Sequence, residues 1–131
     1  MMPLLLMLAA PQAAAAPDHF CSGLSSIALR PGETMTRQEG PDFTVFYVQG
    51  AGADFGVYAG NYAQVMNDAR TQFMKRGGLT VMRVADHGDF HGYLVTDAHG
   101  LQNHFFGSVF KGDDGDAAFF DRVRFGPCTA P

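Results

Sequence analysis

From Asp42 onward the apolar residues of this chain come in short runs of strand length, set apart by glycine-rich turns. Phe43 to Val48 is β-branched and aromatic on both alternating faces, which predicts a strand covered on both sides. The turn residues Gly50-Ala51-Gly52 and a second run, Phe55 to Ala59, complete a predicted hairpin. Further on, Leu79 to Val84, Phe90 to Thr96 and Leu101 to Phe110 are separated by Asp86-His87-Gly88-Asp89 and Asp97-Ala98-His99-Gly100, which predicts a three-stranded meander.

Two stretches carry helical spacing instead. Asn61 is placed to cap a helix in which Tyr62, Met66, Ala69 and Phe73 share one face, and Gly77-Gly78 would stop it. Around Phe119, Phe120 and Val123, the acids Asp113, Asp114 and Asp116 stand at the start and Arg122 and Arg124 at the end, with Gly126-Pro127 beyond, as a helix macrodipole favours. Residues 16–41 are polar and turn-rich around Pro31-Gly32 and predict a mostly irregular arm, with one short element near Ile27 to Leu29. The expected fold class is therefore α+β: an antiparallel sheet of about five strands with two helices packed on it, in a single domain spanning 16–131.

The first fifteen residues change where such a domain would work. Leu4 to Leu8 form an apolar stretch too short to span a bilayer, and Ala13 and Ala15 occupy the two small-residue positions of a cleavage site after Ala15. Residues 1–15 thus read as a signal peptide, although no Lys or Arg precedes the apolar stretch. The expected location is periplasmic or extracellular, with no integral membrane segment after cleavage. The bulky Phe20 directly before Cys21 argues against a lipid-anchored cysteine. The chain has two cysteines, Cys21 and Cys128, and an even number in an exported domain predicts a disulfide tying its two ends. A C-x-x-C redox spacing is absent, so the expected role is structural.

A formal net charge of −4, with nine scattered basic residues, argues against nucleic acid as a partner. Candidate chemistry concentrates in the meander, where His87, His91, His99 and His104 stand among aspartates. A two-residue turn at His99-Gly100, or any even-length loop, gives cross-strand pairs with odd sums and puts His91, Tyr93 and Val95 on one face with Gln102, His104 and Phe106. His91, His104 and Tyr93 are accordingly the candidate catalytic residues. The acids near Gly115 lack the spacing of a calcium loop and are expected to cap a helix, so no metal site and no cofactor are called. No serine-nucleophile elbow or phosphate-binding glycine loop is present.

Three functions follow as expectations. The first is a non-enzymatic interaction or binding protein, engaging another envelope protein or a small apolar ligand. The second is a small metal-assisted or acid/base enzyme using the His91 and His104 face. The third is an inhibitor of an envelope or secreted hydrolase, inserting a loop such as Gly50 to Asp54 into its target.

Overall fold

The computed structural model describes residues 18–60 and 68–129, and these form two antiparallel sheets and one short helix. The larger sheet has seven strands in the order β3-β4-β5-β9-β8-β7-β6. They are β3 Thr34–Glu39, β4 Phe43–Gly50, β5 Ala53–Gly60, β6 Asp68–Arg76, β7 Leu79–Asp86, β8 Asp89–Thr96 and β9 Gln102–Phe106. The smaller sheet places β2 Ser25–Ala28 between β1 His19–Cys21 and β10 Val123–Phe125. A 3-10 helix, Asp114–Arg122, leads directly into β10.

Turn chemistry explains the hairpins. β4 and β5 pair from Phe43–Gly60 to Gly50–Ala53, leaving only Ala51 and Gly52 outside the ladder. Both have positive φ, 53° and 85°, which matches the twist of the flanking strands. His87-Gly88 joins β7 to β8 with the same pair of signs, at 51° and 86°.

The expected α+β class is overturned, because the described chain is mostly β, with two sheets of three and seven strands and a single short helix. The expected helix from Asn61 to Phe73 falls partly on residues 61–67, outside the described residues, and over Asp68–Arg76 the chain is strand β6. Gly77-Gly78 does not stop a helix; it turns β6 back onto β7, which supplies a ladder from Asp68–Asp86 to Arg76–Leu79. The expected irregular arm contains β1, β2 and β3: β1 pairs with β2 and β3 with the next strand β4, while β2 also pairs with the distant β10. The final expected helix is confined to Asp114–Arg122, and Arg124 belongs to β10. Its capping holds: the Asp113 side chain accepts from the Gly115 N–H. The small sheet and this 3-10 helix take the place of the two expected helices. The expected signal peptide lies outside the described residues.

The core lies between the two sheets. Phe20, Ile27 and Val123, aligned across β1, β2 and β10, pack with Phe46, Val48, Phe55, Val57, Tyr93, Val95 and Phe105 of the larger sheet. The 3-10 helix adds Phe119 and Phe120, whose rings meet Phe55, Phe105 and Phe110. These aromatic side chains bring large apolar area to a core they share with Leu24, Ile27 and several valines. The disulfide Cys21–Cys128 spans 107 residues and ties the chain beyond β10 to β1.

Three buried polar groups cross this core with their hydrogen bonds made. Asn103 is fully buried; its Nδ2 donates to the carbonyls of Ser22 and Gln102, and its Oδ1 accepts from the Ser22 hydroxyl. The Arg122 guanidinium donates to the Ala28 carbonyl at 2.8 and 3.0 Å, pairs with Glu33, and lies over the rings of Phe55 and Phe119. Asp116 accepts from the backbone N–H groups of Lys111 and Gly112 and from the Tyr93 hydroxyl. Buried polar atoms satisfied in this way fix one packing of the two sheets without the penalty of an unpaired group.

Candidate functional site: the outer face of the larger sheet

The face turned away from the small sheet has its own chemistry. Pairing aligns Val45, Tyr58, His104, Leu94 and Met82 across β4, β5, β9, β8 and β7. Leu94 and Val84 are fully buried on this side and pack with Tyr58 and Met82, apart from the main core. Around them stand more rings: Phe43 stacks on Tyr58 at 5.2 Å, and Tyr47 meets Phe106 edge-on at 6.2 Å. Tyr47 is the one exposed large hydrophobic residue among those described. The Phe106 ring covers Gly56, where an added Cβ would fall 2.3 Å from it.

Phe90, His91, Gly92, His104, Phe106 and Gly107 line a cleft of about 370 Å³ on this face. Its shape comes from an irregularity in β8. Between the pairs Arg83–Tyr93 and Ala85–Phe90 the register shifts, and Gly92 takes a φ of 101°. A Cβ there would lie 2.1 Å from the Phe105 carbonyl oxygen, so the backbones of β8 and β9 approach in a way only glycine permits. The His104 imidazole Nε2 hydrogen-bonds the His91 carbonyl at 2.5 Å, and its ring centroid lies 5.6 Å from that of Phe106. The wall of the cleft is thus an imidazole held between a backbone acceptor and an aromatic ring.

Of the three residues singled out from sequence, two reach this cleft. His91 and His104 are neighbours, joined through the His91 backbone rather than imidazole to imidazole. Tyr93 is on the opposite face. The loop from β8 to β9 has five residues, Asp97 to Leu101, closed by the Asp97 carboxylate accepting from the His99 and Leu101 N–H groups. An odd loop gives even sums, so Tyr93 opposes Phe105 and Val95 opposes Asn103, all facing the core. The predicted odd-sum register is corrected accordingly.

Burial, then the hydrogen bond to the Asp116 carboxylate, pushes the Tyr93 phenol well above the ordinary tyrosine value, against the opposing pull of Arg83 beside it. His87 and His99 stand in separate turns. Among the described residues, no three His, Cys, Asp or Glu side chains come close enough to hold a metal ion. The Gly50 to Asp54 segment, considered as an inserting loop, leaves two residues beyond the ladder.

Phe90 and Gly107 also line the cleft and were not apparent from sequence. Their only signal is the broken alternation at Phe90-His91-Gly92, which marks a bulge without showing what gathers around it. Two larger hollows have less to offer a ligand. A groove of about 610 Å³ beside β1 and β10 is lined by mixed charges, including Asp18, His19, Asp121 and Arg124. One of about 500 Å³ is lined by Arg122 and Glu33, which are spent on each other.

Comparison with known protein families, with curated proteins and with solved structures finds no match to this chain. The disulfide is compatible with an exported protein, and among the described residues no helix is long and apolar enough to cross a membrane.

Proposed function

We propose that this chain is an exported, disulfide-stapled binding protein whose cleft at Phe90, His91, His104 and Phe106 takes a small, flat apolar ligand. The observation that carries the reading is the cleft itself: its volume, about 370 Å³, falls at the lower end of the range of ligand sites. The Phe106 ring supplies apolar contact, and the imidazoles add polar groups that can orient a substituent. Strands β8 and β9 are interior to the seven-stranded sheet, so the walls stand on backbone paired on both sides. A preorganised wall spares a ligand the entropy of ordering it. The periplasm or extracellular space is the compartment in which the Cys21–Cys128 bridge persists.

Titrating the isotopically labelled protein with phenol, indole and benzoate while recording its NMR spectrum tests this. At least one should saturate shifts at His91, His104 and Phe106 while leaving His19, on the small sheet, unmoved. If all three leave the cleft signals in place at millimolar concentration, the reading fails. Shifts confined to other surfaces would count against it equally.

A further inference from the structure

We propose that the free edge of β3 is a self-association surface. A second copy of this chain pairs with it antiparallel, centred on Gln38, so that Arg37 of each copy faces Glu39 of the other. The inference does not depend on what the outer-face cleft binds.

Among the described residues, β3 closes one side of the seven-stranded sheet. It pairs with β4 over six consecutive residues, from Thr34–Gln49 to Glu39–Thr44, with no register shift. Its opposite edge therefore presents a regular row of backbone donors and acceptors to solvent, and such an edge is a template for another strand. Five of its six residues are exposed, Met35 being the exception.

The other edges are less suited. β6 closes the far side, but its register breaks between Gln72 and Met74, and Arg70, Lys75 and Arg76 make its described side chains basic. β1 and β10 have three residues each. Bulges and clustered positive charge are devices that blunt an edge, and β3 has neither.

Charge selects the register. When a strand pairs antiparallel with its own copy, residues whose backbone groups point outward must oppose residues of the same kind, so the two-fold axis passes through a residue. An axis at Arg37 sets the two guanidinium groups against each other. An axis at Thr36 sets Arg37 against Met35 and leaves both Arg37 and Glu39 without an opposite charge across the interface. An axis at Gln38 sets Arg37 against Glu39 twice. Within one copy Arg37 Nε already lies 3.1 Å from Glu39 Oε2, with the guanidinium over the Phe46 ring. In the pair the four charges alternate around a square. Pro41 lacks a backbone donor and bounds the ladder beyond Gly40.

Sedimentation velocity over a wide concentration range, on the purified protein and its variants, tests the proposal. The wild-type protein should show a concentration-dependent dimer. Arg37→Glu and Glu39→Arg should each weaken it roughly tenfold or more, since each sets like charges opposite one another. Mixing the two single variants should restore a one-to-one dimer, as should the double variant R37E/E39R. Such rescue distinguishes pairing across the interface from damage to the fold.

Should a reversal variant fail to fold, oxidative crosslinking decides. Gln38→Cys should yield a covalent dimer, whereas Thr36→Cys should not. A wild-type protein that stays monomeric at millimolar concentration overturns the proposal. So does a dimer indifferent to both reversals, or one that crosslinks through position 36 rather than 38.

Discussion

The Tyr93 hydroxyl donates to the Asp116 carboxylate at 2.6 Å, joining β8 to the 3-10 helix in the interior of the molecule. Asp116 also accepts from the Lys111 and Gly112 N–H groups, so one carboxylate organises both the turn before the helix and the helix's contact with the sheet. It was expected to favour a helix N-terminus; instead it turns inward. Tyr93→Phe removes one charge-assisted bond and should cost about 1 to 3 kcal/mol. Asp116→Ala orphans two backbone donors and a buried hydroxyl and should cost more. Urea denaturation of the two variants beside the wild type measures the order, and an equal or reversed order contradicts this account.

The same pair predicts alkaline behaviour. Because the folded Tyr93 phenol titrates above its unfolded value, its contribution is complete below the ordinary tyrosine pKa of about 10. It is lost as pH rises from there toward the folded value. The difference in melting temperature between wild type and Tyr93→Phe should therefore hold constant from neutral pH to about pH 9 and shrink above about pH 10. A difference that stays constant to pH 11 removes the basis of the claim.

Glu33 and Arg122 give the acid counterpart. Their side chains are only 3% and 5% exposed, and the pair binds the turn before β3 to the end of the 3-10 helix. Burial alone would raise the Glu33 carboxyl, but the Arg122 hydrogen bond and the Arg30 N–H together hold it below the ordinary glutamate value. A lowered folded pKa means that stabilisation is present above the unfolded value and disappears as pH falls through the folded one. Glu33→Gln should thus be less stable than wild type at pH 7, and the gap should narrow steadily below about pH 4.3. Arg122→Ala strands a buried carboxylate and should cost about 3 to 5 kcal/mol. Thermal melts from pH 3 to 7 measure both effects.

What could be read from the sequence follows from how local each determinant is. The β4–β5 hairpin and the β7–β8–β9 meander were legible because Ala51-Gly52 and His87-Gly88 are turn residues between short apolar runs. The disulfide was legible because the chain has one possible pair. Strand β6 was misread: Phe73 stands four residues beyond Ala69, a helical interval, and only pairing with β7 makes Asp68–Arg76 a strand. β1 and β2 carry few β-branched residues, and β2 depends on β10 nearly a hundred positions later. At the candidate site, His91 and His104 were rightly placed together, but for an incorrect reason. The parity of the 97–101 loop depends on the Asp97 side chain, which turned Tyr93 away from them.

The disulfide itself sets a quantity. Closing a loop of 107 residues removes roughly 4 to 5 kcal/mol of unfolded-state entropy in the chain-entropy model. The double variant Cys21→Ser/Cys128→Ser should lose stability of that order, and hydrogen exchange at β1 and β10 should accelerate before exchange at β5 and β9. Uniform acceleration would instead mean that the bridge stabilises the whole molecule as one cooperative unit.

Gly92 and Gly56 permit a sharper comparison, since both lie against β9 but meet different things. At Gly92 a new Cβ would strike the Phe105 carbonyl oxygen at 2.1 Å, on backbone with a φ of 101°. Neither the strand nor the conformation can yield without breaking the β8–β9 ladder. At Gly56 the obstruction is the Phe106 ring, a side chain with its own rotamers. Gly92→Ala should therefore be strongly destabilising, by about 3 kcal/mol or more, combining backbone strain with overpacking. Gly56→Ala should cost about 1 to 3 kcal/mol. Adding Phe106→Ala should recover much of the Gly56→Ala strain and none of the Gly92→Ala loss. A double-mutant cycle in urea reads this directly, because coupling is expected for the pair that touches and near-additivity for the other. Coupling of equal size in both cycles would show that Phe106, rather than the Phe105 backbone, sets the limit at Gly92.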